Sequence, residues 1–312
     1  MKKTALWTKN FVLFSIANLF LNLGAQFLLP VLPLYAISVM GASESQVGYL
    51  LGLYSFAALA ARPFTGYAFD SFGRKKTFFI ALIAFSLLSF LYNFTGTFLL
   101  LISLRVIHGL VFSFTSTGTG AIVGDIVPHE RRGEGIGYFG MTNTLAMALG
   151  PAIALVIVGN NNYWMLFVFS GILAALAYLF ANFVHFPKIE LSTKPLSLRN
   201  MFERKVFSVA FVVLMFGLSN GGIMSFIVLY GQQIGVANAG LFFLINSVGV
   251  ITVRLFAGRI MDKYGPKPMI IFGFLIQGAG FILLSSAKGL IMFCMAAALL
   301  GLANGTLMPT LQ

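Results

Sequence analysis

The chain has 312 residues, of which 59% are hydrophobic and 9% charged, and its mean hydropathy is +0.93. A soluble domain carries roughly a quarter charged residues, so this chain lacks the polar surface to face water, and lipid must be its solvent. The net charge of +12 sits in short clusters between apolar runs without aromatic interleaving, which excludes a nucleic-acid-binding face.

In lipid every backbone N–H and C=O needs a partner within the protein, which leaves helices or a closed barrel. The apolar runs are about 20 residues long rather than alternating segments of about 10, so the prediction is an all-α membrane protein. The basic start, MKKTALWTKNFVLF, is followed by an apolar stretch far longer than a signal peptide's 7–15-residue core. It reads as a retained first helix. Spans are predicted at about 11–38, 46–69, 77–95, 98–123, 135–158 and 163–186, then at about 205–231, 239–260, 268–287 and 289–311. Each covers a ~30 Å hydrocarbon core at 1.5 Å per residue. Residues 186–205, FPKIELSTKPLSLRNMFERK, form the longest polar stretch. This reading gives a six-helix bundle over 1–186, a linker over 187–204 and a four-helix bundle over 205–312. The one cysteine, Cys294, excludes an intramolecular disulfide or a cysteine metal cluster, and inside an apolar run it reads as a small packing residue.

Sixteen of the twenty lysines and arginines lie in the N-terminus and alternate loops, and the opposite loops hold only Lys288. The positive-inside rule then predicts a multi-pass protein of the plasma (inner) membrane with a cytoplasmic N-terminus.

The sequence repeats itself. RPFTGYAFDSFGRK at 62–75 matches RLFAGRIMDKYGPK at 254–267, with Arg62, Phe64, Gly66, Asp70, Gly73 and Lys75 carried onto Arg254, Phe256, Gly258, Asp262, Gly265 and Lys267 by one offset of 192. The same offset carries Gly48 to Gly240, Ser55 to Ser247 and Gly109 to Gly301. A gapless register from the second span into the fourth predicts two related helical bundles, the plan of transporters that rock one bundle against the other.

The run from Gly66 through Asp70 and Gly73 to Arg74 and Lys75 resembles the loop motif after the second helix of the major facilitator superfamily. The spacing of Asp125, Pro128, Arg132, Gly133 and Gly137 resembles that family's fourth-to-fifth loop. Arg105 and Gly109 resemble its fourth-helix arginine motif. The resemblance implies twelve helices as six plus six, of which this chain holds ten as six plus four. The offset would carry Asp125 to 317, past Gln312, so the expectation is a chain cut short at its C-terminal end. The fifth span carries Ala146, Gly150, Pro151 and Ala154, similar to the family's antiporter motif G-x-x-x-G-P-x-x-G-G but with alanines at two glycine positions and Leu155 at a third. Small residues every four positions allow close helix packing, and the proline removes a backbone hydrogen bond; ordinary tight packing is the plainer account.

Asp70 and Asp262 fall at the basic ends of their helices, where a carboxylate meets the positive end of a neighbouring helix; the resemblance implies a cytoplasmic latch, with Asp262 facing the fifth span near Gly135. Membrane-edge markers are the simpler alternative. Arg62, Arg105 and Arg254 are charges within spans, costly unless paired or hydrated. Arg62 and Arg254 are read as gating or snorkelling residues, and Asp125 as a partner of Arg132 and Arg74.

On the fourth span Arg105, His108, Phe112, Ser116 and Thr119 share a face, and on the first Ser15, Asn18, Asn22 and Gln26 do the same. Two polar stripes on apolar helices predict an aqueous substrate cavity, with Asn143, Asn220 and Asn246 as further candidates; interhelical hydrogen bonding is the alternative. His108 is either a proton relay or a packed neutral histidine. Arginine and histidine as the cavity charges favour an anionic, zwitterionic or neutral solute.

The expected function is a proton-coupled exporter of a small drug-like or metabolite solute working by alternating access. The expected partners are that small-molecule substrate, protons and the lipid bilayer, with the chain a monomer. The alternatives are an importer or facilitator of an organic anion or sugar on the same fold, and a non-transporting membrane fragment. No nucleotide-binding loop, H-E-x-x-H or G-x-S-x-G occurs, so no cofactor, metal site, catalytic residue or enzymatic activity is expected.

Overall fold

The computed structural model describes residues 5–159, 161–186 and 207–310, with side chains throughout except at 207–210, 213, 254–264, 266 and 309–310. Ten α-helices follow in order: α1 (Lys9–Ser38), α2 (Glu44–Ser71), α3 (Arg74–Leu91), α4 (Phe98–Ile126), α5 (Arg132–Val158), α6 (Tyr163–Asn182), α7 (Phe207–Gln233), α8 (Gly240–Tyr264), α9 (Pro266–Ser285) and α10 (Leu290–Thr310). Among the described residues nine helices are long and apolar enough to cross a bilayer, and the described apolar part of α8, Gly240–Val253, is shorter. The linker predicted at 187–204 lies outside the described residues.

Local chemistry sets the helix starts. Thr8, Thr97 and Asn162 accept hydrogen bonds from the first turns of α1, α4 and α6. Ser43 and Gln46 close a reciprocal capping box at α2, which satisfies two otherwise orphaned N–H groups. The turns before α3 and α9 need a left-handed residue, supplied by Gly73 at φ +89° and Gly265 at φ +78°.

Two compact units result, one of Met1–Ala146 with Ile157–Phe202 and one of Met147–Val156 with Glu203–Gln312. In the first, α1 packs on α6, α2 on α4, and α3 on both α4 and α6. Phe14 of α1 lies between Phe78 of α3 and Phe139 of α5, with ring centroids 5.7 and 5.6 Å apart. In the second, α10 packs on α8 and α9. Lipid tails are as apolar as leucine, so close packing and interhelical hydrogen bonds hold such helices together. The surface agrees with a lipid solvent: Phe56 is 69% exposed, Leu99 75% and Ile291 76%.

The repeat survives into three dimensions within each unit. A Cβ on Gly109 would overlap the carbonyl oxygen of Tyr54, where α4 crosses α2; a Cβ on Gly301 would overlap that of Asn246, where α10 crosses α8. Gly109 and Gly301 are 192 positions apart, and so are Tyr54 and Asn246. So are the starts of α3 and α9, and of α4 and α10.

Candidate functional site

The α2–α4 crossing places the first unit's buried charge. With no side chain at Gly109 the two backbones approach closely, and Arg105, one turn earlier on α4, comes to lie over Tyr54 of α2. Its guanidinium carbon is 3.7 Å from the ring centroid, a cation–π contact that strengthens as water is excluded. Arg105 is 2% exposed, and its Nε is buried without a hydrogen-bond partner.

His108, one turn further along α4, is fully buried. It sits edge-on to Phe85 of α3 at 4.2 Å between centroids, and Tyr54 and Tyr92 stand at 6.3 and 5.6 Å. The Tyr92 hydroxyl is 3.0 Å from Nδ1, while Nε2 has no partner. Both polar residues therefore lie inside the first unit, packed by aromatic rings. On the same α4 stripe Thr119 is buried, and Phe112 and Ser116 are half-buried.

No described carboxylate belongs to this cluster. Glu44 opens α2, Asp70 and Asp125 fall in the last turns of α2 and α4, and Glu130 and Glu134 flank the start of α5. The cluster is thus a buried cation with aromatic walls whose Nε faces no acceptor, chemistry suited to an anionic or hydrogen-bond-accepting group.

A second polar cluster joins α1 to α5. The Asn18 amide donates to Thr142 Oγ1 at 2.7 Å and to Asn143 Oδ1 at 2.8 Å, and Asn22 donates to Asn18 Oδ1 at 2.9 Å. Gln26, next on the stripe, is half-buried and joins none of these bonds. In the second unit Asn220 donates to Phe216 O on its own helix at 3.2 Å, and Asn246 reaches from α8 to Ala297 O on α10 at 3.3 Å. Asn246 and Ala297 are the 192-offset counterparts of Tyr54 and Arg105. The same two positions touch in both units, through a cation–π stack in one and an amide–carbonyl bond in the other.

At the basic end of the first unit, Arg74 Nε stands 2.6 Å from Asp125 Oδ2 in an ion pair, and Arg74 Nη1 is 3.9 Å from Asp70. Arg132 lies against Gly124, where a Cβ would come within 3.2 Å of its Nη2, and it acts electrostatically on the neighbouring Asp125. Arg62 is exposed on α2 and forms no ion pair with a described residue, and Gly66 has open space where a side chain would stand. Lys75 lies over the Phe79 and Phe186 rings. Arg254, Gly258 and Asp262 fall where only the backbone is described, as part of α8. Ala146, Gly150, Pro151 and Ala154 are all buried, in an α5 that runs unbroken through its proline.

Sequence reasoning missed Tyr54, Tyr92 and Thr142 as partners, and also Gln277, which is buried on α9 and donates to Ser219 of α7 at 3.0 Å. Gln277 alone carried a usable signal, a polar amide within an apolar span. Tyrosine and threonine are common in such helices, and no periodicity marks them out.

Comparison with known proteins agrees with this architecture. The chain is 25% identical over 287 residues to the staphylopine export protein of Staphylococcus aureus, covering 87% of this chain and 72% of that one. It is 26% identical over 330 aligned positions to multidrug resistance protein 2 of Bacillus subtilis, covering all of this chain and 82% of that one. Among solved structures, the nucleoside transporter NupG (D323A mutant) superposes with a TM-score of 0.77 at 13% identity, covering 96% of this chain and 81% of that one. A D-xylose–proton symporter superposes at 0.72 with 15% identity, covering 97% and 80%. The sequence profile of the Major Facilitator Superfamily matches residues 14–312, and the chain belongs to that family.

Proposed function

We propose that this multi-pass membrane transporter exports a small solute in exchange for protons by alternating access, with Arg105 engaging an anionic or zwitterionic part of the solute. The observation carrying the reading is the Arg105 cluster, a buried guanidinium with no described carboxylate beside it. A charge in that position is costly to keep unless it has a job. Export is supported by the two relatives aligned along most of the chain, named for export and for multidrug resistance. It is also supported by the small-residue and proline pattern at Ala146, Gly150, Pro151 and Ala154. The orientation follows the basic loops, with the N-terminus cytoplasmic, and the chain acts as a monomer. Asp70 and Asp262 would latch the cytoplasmic side.

A second reading, uptake or facilitated passage of an organic anion or sugar, draws on the same cation, because a positive site serves either direction. Inverted vesicles made acid inside separate the two. A panel of a zwitterionic quinolone, a cationic dye and a neutral pentose is added while a pH-sensitive dye reports the gradient. Export predicts that the quinolone dissipates the gradient and that Arg105→Ala abolishes the effect. An unchanged gradient, with proton-driven solute entry into right-side-out vesicles, would overturn export in favour of uptake.

A further inference from the structure

The three consecutive basic residues opening α3 have three different surroundings. Arg74 is paired with Asp125 and Asp70. Lys75 lies over the rings of Phe79 and Phe186 at 5.7 and 6.0 Å. Lys76 is exposed, has no described carboxylate within ion-pair distance, and stands in the wall of a crevice of about 390 Å³.

The crevice exists because α2 and α3 each pack on α4 but little on each other. Phe72 of the α2–α3 turn, Ile80 and Ala84 of α3, and Val111 and Phe114 of α4 line it. Thr77, the other polar residue in the wall, turns its hydroxyl onto the Ala68 carbonyl at 3.3 Å. The lining is therefore apolar up to the single ammonium group. Eight residues separate Lys76 from Ala84, about 12 Å along the helix, close to the ~15 Å hydrocarbon depth of one leaflet.

We propose that this crevice binds one anionic phospholipid, with an acyl chain between α2 and α3 and the headgroup phosphate on Lys76. An acyl chain gains little by leaving bulk lipid for an apolar groove, so the selectivity resides in the charge. The site discriminates by headgroup, preferring a net-negative phosphodiester to a zwitterionic one. This proposal is independent of transport direction and substrate.

The test reconstitutes the full chain in nanodiscs containing equal phosphatidylglycerol and phosphatidylethanolamine. Lipid retained after mild detergent extraction is then counted by native mass spectrometry. The wild type retains phosphatidylglycerol with about fivefold preference, the bias one lysine gives at a lipid surface. Lys76→Gln brings the ratio to parity, and Lys75→Gln leaves it unchanged. Ala84→Phe, which fills the crevice, lowers the total retained lipid; should it fail to fold, the two lysine variants still decide the matter. Parity in the wild type, an undiminished preference in Lys76→Gln, or loss of the preference in Lys75→Gln instead would overturn the assignment. Displacement of the lipid by inorganic phosphate would reduce the site to a phosphate site and overturn the acyl-chain part.

Discussion

Gly109 lies so close to the carbonyl oxygen of Tyr54 that a Cβ would overlap it, and Gly301 stands in the same relation to Asn246. The obstacle is backbone in both cases, so no rotamer change relieves it. Gly109→Ala and Gly301→Ala are each expected to cost about 1–3 kcal/mol, the range for overpacking a tight site. Gly66→Ala meets nothing within 4 Å and is expected to be neutral or to stabilise by up to ~1 kcal/mol through helix propensity. Thermal unfolding in detergent compares the three, and equal shifts would refute the crossing argument.

Arg105 separates stability from function. Its guanidinium is buried, with Nε unsatisfied, so Arg105→Ala removes a desolvated charge. We expect substrate-dependent flux to be lost while the melting temperature stays level or rises, the trade expected of a functional charge. Arg105→Lys should fail nearly as badly, because an ammonium group lacks the planar face that stacks on Tyr54. A well-folded Arg105→Ala with normal flux would exclude this site.

Arg74 and Asp125 are each 22% exposed at the side chain, so their ion pair is less screened than one in open solvent. Removing Asp125 leaves Arg74 with only the longer 3.9 Å contact to Asp70, and Asp125→Asn is expected to cost about 1–3 kcal/mol. A double-mutant cycle with Arg74→Gln should return a positive coupling energy. Additive single effects would mean that the contact contributes nothing.

Asn18 bonds two residues of α5 from α1. Asn18→Ala is expected to lose about 1 kcal/mol, given the ~0.6 kcal/mol average for interhelical hydrogen bonds in membranes. Asn22, which donates to Asn18 Oδ1 and its carbonyl, should matter less. Chemical unfolding in mixed micelles measures both, and the reverse order would show that Asn22 carries the network.

The amide stripe of α1 and the arginine–histidine stripe of α4 were readable as single faces because helical periodicity is written in spacing alone. Their surroundings were not. The expectation for His108 left a proton relay and a packed histidine open; the chain places it against Phe85, Tyr92 and Tyr54, residues 16 to 54 positions away that no local pattern connects to it. The asymmetry between the units was hidden in the same way. The offset of 192 predicted that positions 54 and 105 correspond to 246 and 297. It took helix packing to show that each pair touches.

By itself, the sequence determined the solvent, the helices, the duplicated plan and the family. Lipid forces each span to satisfy its own backbone, which makes composition and periodicity decisive one segment at a time. Tertiary structure alone decided which glycines are contacts rather than turns, that Arg105 rests on a tyrosine without a described counter-ion, and that Lys76, of three adjacent cations, is the one bordering an apolar crevice. Those outcomes depend on how close two helices come and at what rotation, and that is fixed by side-chain volumes far apart in the chain.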